Sequence, residues 1–183
     1  MIRATELAHH LIGKSLHSGD WALDATVGNG HDTLFLAKSV GQSGRVFGFD
    51  VQSTAIAETA KRVDGYSQVT LFQVGHEMLS DYLPKDAQLS VAMFNLGYLP
   101  GGPREIITGA DTTVAALDQA LARLKIGGLV TLVLYSGHCG GDTEASTVQA
   151  FTKNLGEEFT VAQFKRFNSN RTAPELLAIE RAR

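Results

Sequence analysis

Several stretches of this sequence carry residue types and spacings that can do chemistry. The first is Asp24-Ala25-Thr26-Val27-Gly28-Asn29-Gly30-His31-Asp32-Thr33. Gly28 and Gly30 permit positive φ and let a ligand come close to the backbone, because no Cβ intervenes. A dinucleotide-binding turn would carry a third glycine, easing helix packing beside a pyrophosphate. Here that position is Thr33, and Asp32 stands at the start of the expected helix. A carboxylate there repels a pyrophosphate but suits the ammonium and sulfonium groups of S-adenosylmethionine. Asp24 adds further negative charge.

The second stretch is Phe47-Gly48-Phe49-Asp50, which puts an acid about 20 residues past the glycines, where a ribose diol would lie. Charge-assisted hydrogen bonds to the two hydroxyls contribute roughly 1.5–3 kcal/mol each. Gln52 can add a contact to the ribose or the adenine. The alternative for Asp50 is a helix N-cap before Val51–Arg62. Val74-Gly75-His76-Glu77 follows the next apolar run. His76 there can stack on or hydrogen-bond an adenine, or serve as a capping or core histidine. Glu77 is either a second contact or a first-turn acid favouring the helix dipole.

The third stretch is Asn95-Leu96-Gly97-Tyr98-Leu99-Pro100-Gly101-Gly102. A polar amide, two residues and an aromatic match the D/N-P-P-Y/F spacing of amino-methyltransferases. Methylating an amine requires its lone pair to face the methyl group. An Asn carbonyl with a neighbouring backbone carbonyl can accept the amine's hydrogens, and Tyr98 can pack against the substrate. Most of the rate gain then comes from positioning, without a covalent intermediate or a metal. The alternative is a glycine- and proline-rich turn leaving a buried strand. The fourth stretch runs Tyr135-Ser136-Gly137-His138-Cys139-Gly140-Gly141-Asp142-Thr143-Glu144. His138 is a candidate to take a proton from a substrate ammonium, or to make a structural hydrogen bond. Glu144 reads as a first-turn helix residue unless a cationic amine reaches it. Nothing nearby supports Cys139 as a nucleophile.

These stretches must be held by regular elements. Apolar, β-branched runs at about 21–25, 45–49, 69–73, 89–95, 129–135, 160–167 and 176–180 read as strands. Helical periods lie near 3–12, 32–39, 54–62, 78–83, 106–124 and 143–155. Alternating strands and helices require crossover connections, hence a largely parallel sheet covered on both faces. The last two runs leave no room for a helix, so Asn168–Pro174 reads as a hairpin loop and one late strand as antiparallel. The fold class is therefore α/β: a Rossmann-like, mostly parallel seven-stranded sheet with a C-terminal antiparallel hairpin strand, as in class I methyltransferases. Every stretch named above falls at the carboxyl ends of the parallel strands, where such sheets place ligands.

Bulk properties narrow the classes. The 183 residues read as one domain of ordinary globular composition, 44% hydrophobic and 19% charged. No apolar run approaches the roughly 20 residues of a membrane span, and no signal-peptide pattern opens the chain. A single cysteine excludes an intrachain disulfide and suits a reducing cytoplasm. The net charge of −3 supplies no global attraction for nucleic acid, so a polyanion must be held by a local patch. The histidines at 9, 10, 17, 31, 76 and 138 show no metal-ligand spacing with Cys139, and no metal is expected.

The blocks Asp24–Thr33, Asn95–Gly102, Tyr135–Glu144 and Asn168–Pro174, taken in order, resemble the small bacterial rRNA methylase family. That family includes the tRNA 5-(aminomethyl)-2-thiouridine methyltransferases acting on the wobble uridine. The resemblance spans almost the whole chain. It implies a class I fold, S-adenosylmethionine as donor, a homodimer, and donor contacts at Asn29, Asp32, Asp50, Gln52 and His76, with His31 and Glu77 beside them. The implied acceptor is a primary amine on the anticodon arm of tRNA, with Arg104, Lys165, Arg166 and Arg171 as candidate cationic contacts. Two segments depart from the family pattern. Pro103-Arg104-Glu105 replaces an acidic-then-basic pair, and Asn168–Pro174 lacks consecutive prolines. Other readings are rRNA base methylation, methylation of a small-molecule amine, and a binding module without catalysis.

Overall fold

The computed structural model describes residues 2–97, 107–136, 140–168 and 173–183. The chain opens with helix α1 (Ala4–Ser15) and continues β1 (Trp21–Asp24), α2 (His31–Val40), β2 (Arg45–Phe49), α3 (Ser53–Arg62) and β3 (Val69–Phe72). A 3-10 turn at His76–Met78 leads into α4 (Leu79–Tyr82), then β4 (Leu89–Asn95), α5 (Ala110–Ala122), β5 (Leu124–Leu134), α6 (Gly141–Lys153), β6 (Phe159–Phe164) and β7 (Glu175–Arg181). The strands form one seven-stranded sheet in the order β3-β2-β1-β4-β5-β7-β6. Pairings among β1 to β5 are parallel, and β7 runs antiparallel between β5 and β6. The chain thus has the sheet of a class I methyltransferase, as expected.

Residue alternation within the strands feeds two cores. Leu23, Phe47, Phe49, Phe94, Leu132 and Ile179 face a layer of α4, α5 and α6, meeting Leu79, Leu117 and Val148. Their neighbours Ala22, Val46, Val91, Met93 and Val133 face α1 and α2, meeting Ile12, Leu36 and Val40. Burial on both faces explains why the parallel strands read as nearly continuous apolar runs.

Most boundaries shift by one to three residues, and the largest differences from the sequence expectation lie between 106 and 129. The long helix expected at 106–124 begins only at Ala110, after Gly109, and ends at Ala122. Leu124 instead opens β5, five residues before the expected strand start. Gly127 (φ +74°) and Gly128 break the local pattern, and the pairing with β4 jumps from Leu89–Leu124 to Val91–Leu129. A strand carrying such an irregularity looks like a turn in sequence.

Candidate active site

The parallel register brings Asp24, Asp50, the residues after β3 and Asn95 to one edge of the sheet. Asp24 ends β1 and is fully buried. Its Oδ2 accepts the Thr33 hydroxyl at 2.6 Å and its Oδ1 accepts the Thr26 N–H at 3.2 Å. No cation neutralises it among the described residues. Burial, reinforced by the charge of Asp32 and less strongly by Asp50, pushes its carboxyl up to about 7.

The glycine turn is held from two sides. Gly28 N–H donates to Asp50 Oδ2 at 2.9 Å, and the Gly28 carbonyl accepts the Thr59 hydroxyl at 3.1 Å. Gly30 caps α2 with φ +77°, and a Cβ on it would stand 2.5 Å from Thr59 Oγ1. The Asn29 carbonyl accepts Arg62 Nε–H at 2.6 Å. His31 is exposed on the first turn of α2. Asp50 also accepts the Gln52 N–H, on Oδ1 at 2.9 Å. It is not the N-cap of α3, a position that Gln52 takes. Each Asp50 oxygen keeps a lone pair for a further donor.

His76 lies 8% exposed beneath this turn, edge-on to Phe94. Its Nδ1 is 3.0 Å from the Ala25 carbonyl. A carbonyl only accepts, so Nδ1 carries the hydrogen. Burial holds the His76 pKa below its ordinary value, against the opposing pull of the Ala25 bond and of Glu77, Glu144 and Asp50. The neutral ring therefore presents a lone pair on Nε2, which is buried without a partner among the described residues. Glu77 is half-buried, and its carbonyl accepts the Gln119 side-chain N–H at 2.6 Å.

Asn95 ends β4, half-buried, and its backbone N–H donates to Thr26 Oγ1 at 2.7 Å. The expected partners Tyr98 and His138 lie outside the described residues, as do Pro100, Gly101, Gly102, Arg104, Cys139 and Arg171. Lys165 pairs with Glu175 at 2.6 Å, which offsets its charge, whereas Arg166 stays exposed. No group of histidine, cysteine and acidic residues among the described residues is arranged to hold a metal, and no described helix is long and apolar enough to cross a membrane.

Three features escaped sequence reasoning. Thr26 and Thr33 hold Asp24 and Asn95 in place, and an Asp two residues before Thr26 is a turn signal that would have marked it. His9 of α1 places Nε2 at 2.6 Å from Asp32 Oδ1 while its ring stacks on Phe35 at 4.2 Å. That contact spans 23 residues and leaves no local trace. Glu144 sits in the first turn of α6, as expected, but is 3% exposed and accepts two threonine hydroxyls.

A family model described as "Putative rRNA methylase" matches residues 46–180. The chain belongs to this rRNA methylase family. It is 43% identical over 164 residues to the chloroplastic tRNA (mnm(5)s(2)U34)-methyltransferase of Arabidopsis thaliana, over 84% of this chain. The chain spans 60% of that relative's length. Among solved structures it is similar to a "putative rRNA-methylase" of Clostridium thermocellum, with 38% identity, a TM-score of 0.95 and 98% of each chain covered. It is also similar to a "putative methyltransferase" of Streptococcus mutans solved with SAH, with 35% identity, a TM-score of 0.90 and 98% of each chain covered.

Proposed function

We propose that this protein is an S-adenosylmethionine-dependent N-methyltransferase acting on RNA, methylating the 5-aminomethyl group of wobble 5-aminomethyl-2-thiouridine in tRNA. The observation that carries the proposal is the convergence of Asp24, Asp32, Asp50 and the unpartnered His76 Nε2 beside Asn95 at the strand ends. Three carboxylates favour a cationic donor over a nucleoside polyphosphate. Asp50 receives the ribose hydroxyls, with Gln52 beside it. The His76 Nε2 lone pair accepts the 6-amino group of adenine. Gly28, Asn29 and Gly30 give close backbone approach, and His31 and Glu77 flank the donor. The donor supplies a methyl group carried on a sulfonium.

Asn95 orients the acceptor by accepting hydrogens of the amine, so that its lone pair faces the methyl. Tyr98 packs against the substrate, and His138 takes the proton the amine must lose before attack. The Arabidopsis relative's name supports a wobble-uridine acceptor. The family's description favours a second reading, methylation of an rRNA base. The lone Cys139 suits a reducing cytoplasm. A homodimer would cover Phe164, 44% exposed at the end of the edge strand β6, and Phe167, 96% exposed just past it.

Mass spectrometry of tRNA nucleosides from cells with and without the gene tests the proposal. Loss of the gene should accumulate 5-aminomethyl-2-thiouridine at the expense of its methylated form. An unchanged tRNA profile with a lost rRNA methyl group would establish the second reading instead.

A further inference from the structure

Glu144 is a buried carboxylate that the function proposed above leaves without a role. Its Oε2 accepts the Thr108 hydroxyl at 2.7 Å and its Oε1 accepts the Thr113 hydroxyl at 2.7 Å. No lysine, arginine or histidine pairs with it among the described residues. Burying an uncompensated carboxylate is costly unless dipoles replace water. Here Glu144 lies in the first turn of α6 and Thr113 in the first turn of α5. The positive ends of two helices therefore supply part of the compensation.

The consequence reaches the acceptor side of the site. Thr108 donates its only hydroxyl proton to Glu144, so the same oxygen is left with lone pairs, and one accepts the Gly97 N–H at 2.8 Å. Donation to an anion polarises the hydroxyl and strengthens the bond it accepts. The Thr108 N–H returns to the Gly97 carbonyl at 3.0 Å, so both polar groups of the Gly97 backbone are engaged by one residue. Gly97 has φ +124°, a conformation that L side chains rarely adopt. It stands two residues past Asn95, and the intervening Leu96 is locked by its N–H to the Val133 carbonyl at 3.0 Å. The direction in which the chain leaves β4 is thus set from a charge on α6.

We propose that Glu144 is a positioning residue for methyl transfer, acting through the Thr108 hydroxyl to fix the Asn95–Gly97 backbone that presents the acceptor-orienting amide. This rests on the acceptor role given to Asn95 above. Each Glu144 carboxylate oxygen is engaged by a threonine hydroxyl, so its effect should fall on turnover and leave donor binding in place.

The test is a double-mutant cycle with Glu144→Gln and Thr108→Val, assayed with labelled S-adenosylmethionine on tRNA from cells lacking the gene. Folding is checked by circular dichroism, and SAH affinity by calorimetry. Thr108→Val should lower kcat by roughly tenfold to a hundredfold, the range typical of small misplacements. SAH affinity should stay within about twofold, as expected when an interaction acts only on turnover. Glu144→Gln should lower kcat by roughly threefold to tenfold alone and add little once Thr108 is valine, because both act through one relay. Thr108→Ser, which keeps the hydroxyl, should restore most of the loss. In nuclear magnetic resonance spectra, the Gly97 amide should exchange faster in Thr108→Val than in the wild type.

Independent, additive effects of the two substitutions would overturn the relay. So would an unchanged kcat in Thr108→Val, or parallel loss of SAH binding and turnover. Absence of turnover by the wild-type protein is a different result: it would overturn the proposed function, and the role of Glu144 with it.

Discussion

The Asn95 backbone N–H donates to Thr26 Oγ1 at 2.7 Å, and the Thr26 N–H in turn donates to Asp24 Oδ1. One threonine thereby joins the end of β1, where the donor is proposed to sit, to the end of β4, where the acceptor is proposed to sit. It adds to the β1–β4 ladder a link between the two proposed sites that need touch neither substrate.

Thr26→Val should therefore separate binding from chemistry. It removes the acceptor of the Asn95 N–H, and leaving such a group unpaired costs about 1–3 kcal/mol of stability. SAH affinity measured by calorimetry should change less than kcat on tRNA. Thr26→Ser should behave like the wild type, and equal losses of binding and turnover would contradict the coupling.

His76 should make the protein selective for an amino group on the purine. SAH should bind roughly tenfold or more tightly than its inosine analogue, whose 6-oxo group cannot donate to the Nε2 lone pair. In His76→Phe that preference should disappear. Calorimetric titration of both ligands into both proteins checks it, and a preference surviving in His76→Phe would remove the residue from base recognition.

Asp24 predicts a pH dependence that distinguishes the two forms of the cofactor. Its carboxyl titrates at about 7, so it is protonated in mildly acid solution. A sulfonium favours the charged form, so S-adenosylmethionine should bind more tightly as pH rises from 6 to 8, by up to roughly tenfold for each pH unit below the pKa. SAH lacks that positive charge and should respond less. Parallel titrations across the range decide between these outcomes.

The same carboxyl shapes stability. Between its ordinary value of 3.8 and about 7 the native state holds a proton that the unfolded chain has released. Its stabilising contribution is therefore complete below 3.8 and is lost as pH rises to about 7, on the order of a few kcal/mol. Chemical denaturation of Asp24→Asn across this window should show that slope removed.

Gly30→Ala should weaken both folding and donor binding. The residue has φ +77° and a new Cβ would meet Thr59 at 2.5 Å from Oγ1 and 2.8 Å from Cγ2. Strain of this kind costs about 1–3 kcal/mol. Thermal melts and SAH titration should both register the loss.

The acids and glycines of the first two stretches were legible in the sequence because a parallel sheet delivers every strand end to one edge. Asp24, Gly28, Gly30, Asp50, His76 and Asn95 could all be placed on that edge from apolar runs and spacing alone. The residues that hold them were not legible. His9 meets Asp32 from another helix, and Thr108 meets Glu144 across 36 positions. Such contacts are products of packing and leave no periodicity. Glu144 shows the limit most clearly: its place in the first helical turn was readable, but its burial was set by α5 folding over it. The start of β5 was hidden by Gly127 and Gly128, whose residue types belong to turns.

The position of β7 bears on how the protein is made. Synthesis delivers this strand after the other six, yet it lies between β5 and β6. While the ribosome is still extending the chain through residue 174, β5 presents a bare edge and β6 has no neighbour. Open edges of this sort invite pairing with other nascent chains. The sheet is therefore completed only after this segment has left the ribosome, whereas β1 to β4 can pair before it.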